Sequence, residues 1–291
     1  MAGLFVDDLT VIDFSYLHDE RGILGESWIV DIELYGDLNP ENMVFDFSHV
    51  KKQLKQVIDS TVDHKFVLAR YQPGLVIDSV DHQCQVRYQG AQTFEYNAPE
   101  QAVTILESER VTFASVKAYL LPILEAAVPE NVYKVKVNLR AEVIKGELYH
   151  YTHGLKHHFG DCQRMVHGHR STIEIYENGQ RNLFEEKKWA ARWCDIYLGS
   201  QEDLCEKISI ENSAMLSLSG ENDDFYRFAY RSEQGLFELK ILKTNCEILN
   251  SDTTVECIAE FIAQELKAQY PLSEFKVKAF EGVAKGAIAF A

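Results

Sequence analysis

An α+β chain of two tandem modules is what this sequence predicts. Apolar residues alternate in some segments and recur at helical spacing in others, and the order β-β-α-β-α-β occurs twice. Two long segments also line up, Ile105 to Gly146 and Ile248 to Gly286. Each reads as an amphipathic helix, a short polar turn with proline, an alternating strand, a glutamate (Glu142 or Glu281) and Lys-Gly. A chain of 291 residues can bury one large or two medium cores, so the repeat divides it at 1–145 and 146–291.

The elements follow from periodicity. Ser27 to Tyr35 (SWIVDIELY) alternates and reads as a strand. Asp46-Phe47-Ser48 opens a helix running to about Asp59, with Val50, Leu54, Val57 and Ile58 on one face and Asp46 or Ser48 as cap. Gln85 to Tyr96 reads as one or two strands. Ser115 to Ala126 and Thr254 to Ala268 are amphipathic helices, and Tyr133 to Val143 and Phe275 to Phe280 are strands. Leu24–Gly36 sits where His167–Gly179 sits in the second module, and Thr61–Leu68 has its counterpart in Ser209–Leu216. Arg181 to Asp203 and Gly220 to Lys243 read as insertions.

Composition narrows the function classes. The apolar share, 46%, is that of a globular protein. A net charge of −16 with no long basic run argues against nucleic acid or an anionic membrane surface as the main partner. Any anionic substrate must therefore meet local cations, for which Lys156, Arg164, Arg170 and Lys285 are candidates beside the ordinary reading of solvated surface charge. The first residues, MAGLFVDDLTVIDF, do not form a signal peptide, and no apolar run reaches the ~18 residues of a membrane span. The six cysteines form no CxxC and no small disulfide framework, so the expected compartment is the cytoplasm.

The chemistry concentrates in YTHGLKHHFGDCQRMVHGHRSTIEI, residues 151–175. His167 and His169 are two apart, so on a strand both imidazoles leave the same face. His153 from a neighbouring strand completes three nitrogens, and zinc with three protein ligands and an open position is the catalytic pattern. Cys162 then reads as a nucleophile or base beside the metal. The competing reading is a surface histidine cluster, since six of the ten histidines lie between His150 and His169.

His153-Gly154-Leu155, then Cys162, then HGH opening a strand resembles the 6-pyruvoyltetrahydropterin synthase and 6-carboxytetrahydropterin synthase family, which has the tunnelling fold. The resemblance implies two tandem tunnelling-fold modules, antiparallel sheets with helices on one face. It implies zinc on His153, His167 and His169, and a pterin substrate bearing a triphosphate. It makes Cys162 the catalytic thiol, Asp63-His64 the pair that assists proton transfer, and Glu281 the anchor of the pterin ring. Thr254 touches the pterin edge or simply caps its helix. The GDCQR-to-HGH stretch resembles the carboxy-forming branch, which implies a 6-carboxytetrahydropterin synthase-like lyase acting on 7,8-dihydroneopterin triphosphate in the queuosine pathway, although the four residues between Cys162 and His167 depart from that branch and from another; the alternatives are the pyruvoyl-forming enzyme and, of a different class, a non-catalytic pterin- or purine-binding protein of the same fold.

The aligned halves show a crossed loss. Leu24-Gly25-Glu26 replaces HGH in the first half, and Asp13 stands for the upstream histidine. Glu211-Asn212 stands for Asp63-His64 in the second, and asparagine cannot relay a proton as imidazole can. One site built from both modules is therefore expected, with zinc only in the second; the competing reading makes the first module a decayed scaffold. Open sheet edges imply a homo-oligomer.

Overall fold

The computed structural model describes residues 2–212 and 224–291. The first half runs β1 (Ala2–His18), β2 (Gly22–Gly36), α1 (Phe47–Thr61), β3 (Phe66–Ala69), β4 (Leu75–Val80), β5 (Gln83–Tyr88), β6 (Phe94–Pro99), β7 (Val103–Leu106), α2 (Phe113–Ala127) and β8 (Val132–Ala141). The second runs β9 (Leu148–His153), β10 (His167–Glu177), β11 (Gln180–Arg181), α3 (Leu183–Arg192), β12 (Ile196–Ser200), β13 (Phe225–Ser232), β14 (Gly235–Leu242), β15 (Cys246–Leu249), α4 (Val255–Gln269), β16 (Phe275–Phe280) and β17 (Gly286–Phe290).

Strand order repeats. One sheet is β7-β3-β1-β2-β8 and another is β15-β12-β9-β10-β16-β17. In each, a long hairpin is flanked by a parallel strand on one side and an antiparallel strand on the other. Helices cover one face of each sheet. Val50, Leu54 and Ile58 of α1 and Val116, Leu120 and Leu124 of α2 pack on Phe14, Val30 and Val137. Ile258, Ile262 and Leu266 of α4 pack on Tyr149, Ile173 and Val277. Each such fully buried side chain contributes about 1.5–3 kcal/mol. Local signals set the helix starts. Asp46 accepts from the Ser48 and His49 amides, and Thr112 forms a capping box with Ser115.

The uncovered faces of the two sheets meet. Ser15 Oγ lies 2.9 Å from Thr152 Oγ1, a contact between equivalent positions of the two hairpins. Ser15 pairs with Gly25 and Thr152 with Gly168. A Cβ on Gly25 would sit 1.9 Å from the Tyr151 carbonyl oxygen, and one on Gly168 would sit 2.6 Å from Gly25 Cα. Only glycine permits this approach of one backbone to the other.

A third sheet, β13-β14-β6-β5-β4, takes strands from both halves, with β14 paired to β6. Its core is also shared: Phe66, Val86 and Tyr96 pack with Val166, Tyr197 and Phe228.

Register and element order correct five readings of the sequence. Ser15 pairs with Phe66 as Thr152 pairs with Tyr197, so β3 corresponds to β12 and His64 to Asp195. His64 and Asp195 also share positive φ, 52° and 58°. Asp63-His64 therefore corresponds to Cys194-Asp195. Glu211 and Asn212 instead close a 3-10 turn (Ser209–Asn212), and residues 213–216 of the aligned segment lie outside the described residues. Arg181 to Asp203 holds α3 and β12, the counterparts of α1 and β3, so it is no insertion. Of Gly220 to Lys243, residues 220–223 lie outside the described residues and the rest forms the β13–β14 hairpin, which matches β5–β6. The upstream histidine, His153, faces His167 as Tyr16 faces Leu24, so Tyr16 and not Asp13 takes its place. Finally, Val30 pairs with Leu139 as Ile173 pairs with Ala279, which sets Ala141, not Glu142, opposite Glu281.

Candidate active site

The β9–β10 hairpin places its histidines by pairing alone. His153 faces His167 across the ladder, and His169 follows on the same face. Donor atoms of the three lie within 4.8 Å of one another, and all three residues are buried. Their other ring nitrogens are anchored. His153 Nδ1 lies 2.8 Å from the Thr253 carbonyl, His167 Nδ1 lies 2.8 Å from the Arg164 carbonyl, and His169 Nδ1 lies 3.2 Å from Asp13 Oδ1. The last is an ion-pair distance without good hydrogen-bond alignment. Anchoring Nδ1 turns each Nε2 inward. His153 Nε2 comes 3.3 Å from His169 Nε2, while the buried His167 Nε2 has no hydrogen-bond partner. Burial, reinforced by the neighbouring histidines, pushes His153 and His167 well below the usual imidazole range, which favours their neutral, lone-pair-bearing forms. Convergent, buried nitrogen donors fit a zinc ion.

Asp63 and His64, from the loop between α1 and β3, reach this cluster within the same chain. His64 Nδ1 is 2.7 Å from Asp63 Oδ2, and its ring centroid is 5.1 Å from that of His167. Donor atoms of His64, Cys162 and His167 also fall within 4.8 Å of one another. Burial opposes the charged form of His64, but its hydrogen bonds to Asp63 and Cys162 outweigh it and raise the imidazole well above its ordinary value. The left-handed backbone at His64 is a costly geometry that the surroundings hold in place.

Several holders of this geometry were missed in the sequence. Buried Arg164 orients His167 through its carbonyl and donates from Nη1 to the Asp63 carbonyl at 3.3 Å. Thr253, fully buried, sets His153. Asp13, taken for a lost ligand, braces His169 from the other module and is held by Lys285 at 3.0 Å and Ser27 at 2.5 Å. Burial favours the neutral form of Asp13, yet His169 and Lys285 hold its carboxyl well below the usual range. Only Arg164, lying between Cys162 and HGH, carried any sequence signal.

Glu281, just past β16, brings Oε1 to 3.8 Å from His169 Nε2. Thr254 spends its hydroxyl capping α4, accepting from the Cys257 amide. Of the four candidate cations, Lys285 lies at the site, between Asp13 and Glu281. Lys156 is paired with Glu202 and Asp203, Arg164 with Asp161, and Arg170 donates to the Glu142 carbonyl.

Known proteins resemble part of this chain. The 6-pyruvoyl tetrahydropterin synthase family matches residues 14–137. A Pyrococcus abyssi protein provisionally named 6-carboxy-5,6,7,8-tetrahydropterin synthase is 22% identical over 137 residues, 46% of this chain and 77% of that protein. A Pyrococcus horikoshii protein of the same name is 23% identical over 133 residues, again 46% and 77%. Among solved structures, the Plasmodium vivax 6-pyruvoyltetrahydropterin synthase has 20% identity and a TM-score of 0.41, over 50% of this chain and 93% of that one. The Plasmodium falciparum enzyme has 18% identity and a TM-score of 0.39, over 47% and 90%. Each sequence relative spans less than half of the chain, and the strand order occurs twice. Residues 14–137 thus match the 6-pyruvoyl tetrahydropterin synthase family, and a second module of the same strand order follows them.

Proposed function

We propose that this chain is a zinc-dependent lyase of the 6-carboxytetrahydropterin synthase type, acting on 7,8-dihydroneopterin triphosphate on the route to queuosine. The observation that supports it is the convergence of Cys162 and His64, from different modules, beside three buried imidazoles whose Nε2 atoms face one another. His153, His167 and His169 would hold the zinc, which would supply Lewis acidity to lower the pKa of a substrate side-chain hydroxyl and of the carbon next to it. Cys162 takes the proton from that side chain. His64, its Nδ1 fixed on Asp63, carries the second proton through Nε2. Glu281 accepts hydrogen bonds from the pterin amino group and ring N–H, and Lys285 beside it offers the nearest positive charge.

The working form is expected to be a cytoplasmic homo-oligomer, because β8 and β17 each end a sheet with one side unpaired among the described residues. No described helix is long and apolar enough to cross a membrane.

The test is product analysis with zinc-loaded protein and 7,8-dihydroneopterin triphosphate. Release of 6-carboxytetrahydropterin, triphosphate and acetaldehyde supports the reading. A 6-pyruvoyl product moves the chain to the sister reaction, and tight pterin binding without turnover makes it a binding protein. Cys162→Ala should keep zinc and fold while losing about 100-fold or more in turnover. Activity within a few-fold of wild type would remove the thiol from the mechanism.

A further inference from the structure

Module exchange maps the candidate active site onto a second place in the molecule. Tyr16, Leu24 and Glu26 stand where His153, His167 and His169 stand, because Ser15–Gly25 and Thr152–Gly168 are equivalent pairs. The cross-module contacts exchange too. Asp13 braces His169 from the first module, and His150 approaches Glu26 from the second, with Nδ1 4.0 Å from Oε2. Asp195 replaces His64, and Arg21, from the β1–β2 turn, donates to it from Nε at 2.7 Å. The nitrogen ligands are gone, but the space has not been filled.

A cavity of about 350 Å³ opens here, lined by Tyr16, Glu26, Trp28, Gln72, Thr112 and Phe113 among others. That is within the range that small-molecule sites occupy. Trp28 and Phe113 form an aromatic wall with ring centroids 4.2 Å apart. Gln72 is 4% exposed, yet neither its amide oxygen nor its amide nitrogen has a hydrogen-bond partner. A buried carboxamide without partners costs roughly 1–3 kcal/mol, and such a group calls for an explanation. Its module-two counterpart by register, Asp203, is paired with Lys156, so the lack of partners belongs to this site alone of the two. A carboxamide offers a donor beside an acceptor, and the group that satisfies both is an edge with the complementary pair. Glu26, which burial pushes up to about 7, adds a carboxyl able to donate or accept near neutrality.

We infer that this cavity is a second, metal-free binding site for a flat, uncharged nitrogen heterocycle of the pterin or purine kind, stacked on Trp28 and Phe113 and read by Gln72 and Glu26. It is independent of which reaction the zinc-ligand site performs, because it shares none of that site's residues.

The test uses intact, zinc-loaded protein titrated with neopterin and, separately, guanosine, followed by calorimetry and by tryptophan emission. For at least one probe, binding beyond the zinc-ligand site is expected, with quenching of Trp28. Gln72→Leu should weaken that event at least tenfold, and so should Phe113→Ala, whose half-exposed side chain makes unfolding no concern. Turnover should stay within two-fold in both variants, and Cys162→Ala should leave the second event intact. A single event per chain with both probes, or a second event indifferent to both variants, would overturn the inference.

Discussion

Asp13 connects the two modules atom to atom, bracing His169 on one side and receiving Lys285 on the other. A carboxylate behind a ligating histidine fixes the ring and raises its basicity, and its loss commonly costs 10–100-fold in metal affinity. Asp13→Asn is therefore expected to weaken zinc binding by about that factor, measured by competition with a chromogenic chelator, with the fold intact. Glu26 governs a different observable. Burial raises it, against the Ser27 amide and Arg170, from 4.5 to about 7. Its folded value lies above its unfolded one, so its stabilising contribution is full below pH 4.5 and is lost as pH rises through 7. The shift corresponds to a loss on the order of 3 kcal/mol. Glu26→Gln should flatten the fall in stability between pH 5 and pH 8, read from denaturant midpoints. Parallel pH profiles for variant and wild type would show that Glu26 is not the group responsible.

Among the elements, the two central hairpins do most to assemble the site. Gly25 and Gly168 let β2 and β10 touch through backbone atoms, and that contact carries Asp13 to His169. The turn before β3 then delivers Asp63 and His64 beside Cys162 within one chain. Mixing inactive His64→Ala with inactive Cys162→Ala protein should consequently restore no turnover, because each polypeptide lacks one member of its own site. Recovery of a sizeable fraction of wild-type activity on mixing would show that the working pair meets between chains.

At the scale of the molecule, the repeat is not a pair of independent bodies. β6 and β14 join the halves in one sheet, and the cluster around Phe66, Tyr96, Val166 and Phe228 belongs to both. Splitting the chain between residues 145 and 146 exposes that cluster on each piece. Separately produced halves should be aggregated or lack cooperative unfolding, while co-produced halves should assemble and bind metal. A stable, monomeric 146–291 fragment with full zinc affinity would contradict this.

The sequence by itself determined what depends on spacing and repetition. His167 and His169 share a face because a strand has period two, and no tertiary fact was needed for that. The helix starts at Asp46 and Thr254 are local chemistry. The twofold architecture was legible because helix, strand and Lys-Gly recur in order. Tertiary structure alone decided the partners. Cys194-Asp195 bears no likeness to Asp63-His64, so only strand register reveals that they occupy matching places. Asp13 and Thr253 are ordinary residues in a sequence, and become holders of imidazoles only when strands far apart in the chain are brought together. The same holds for Gln72, whose missing partners follow from a cavity, and a cavity is a property of packing rather than of any local pattern.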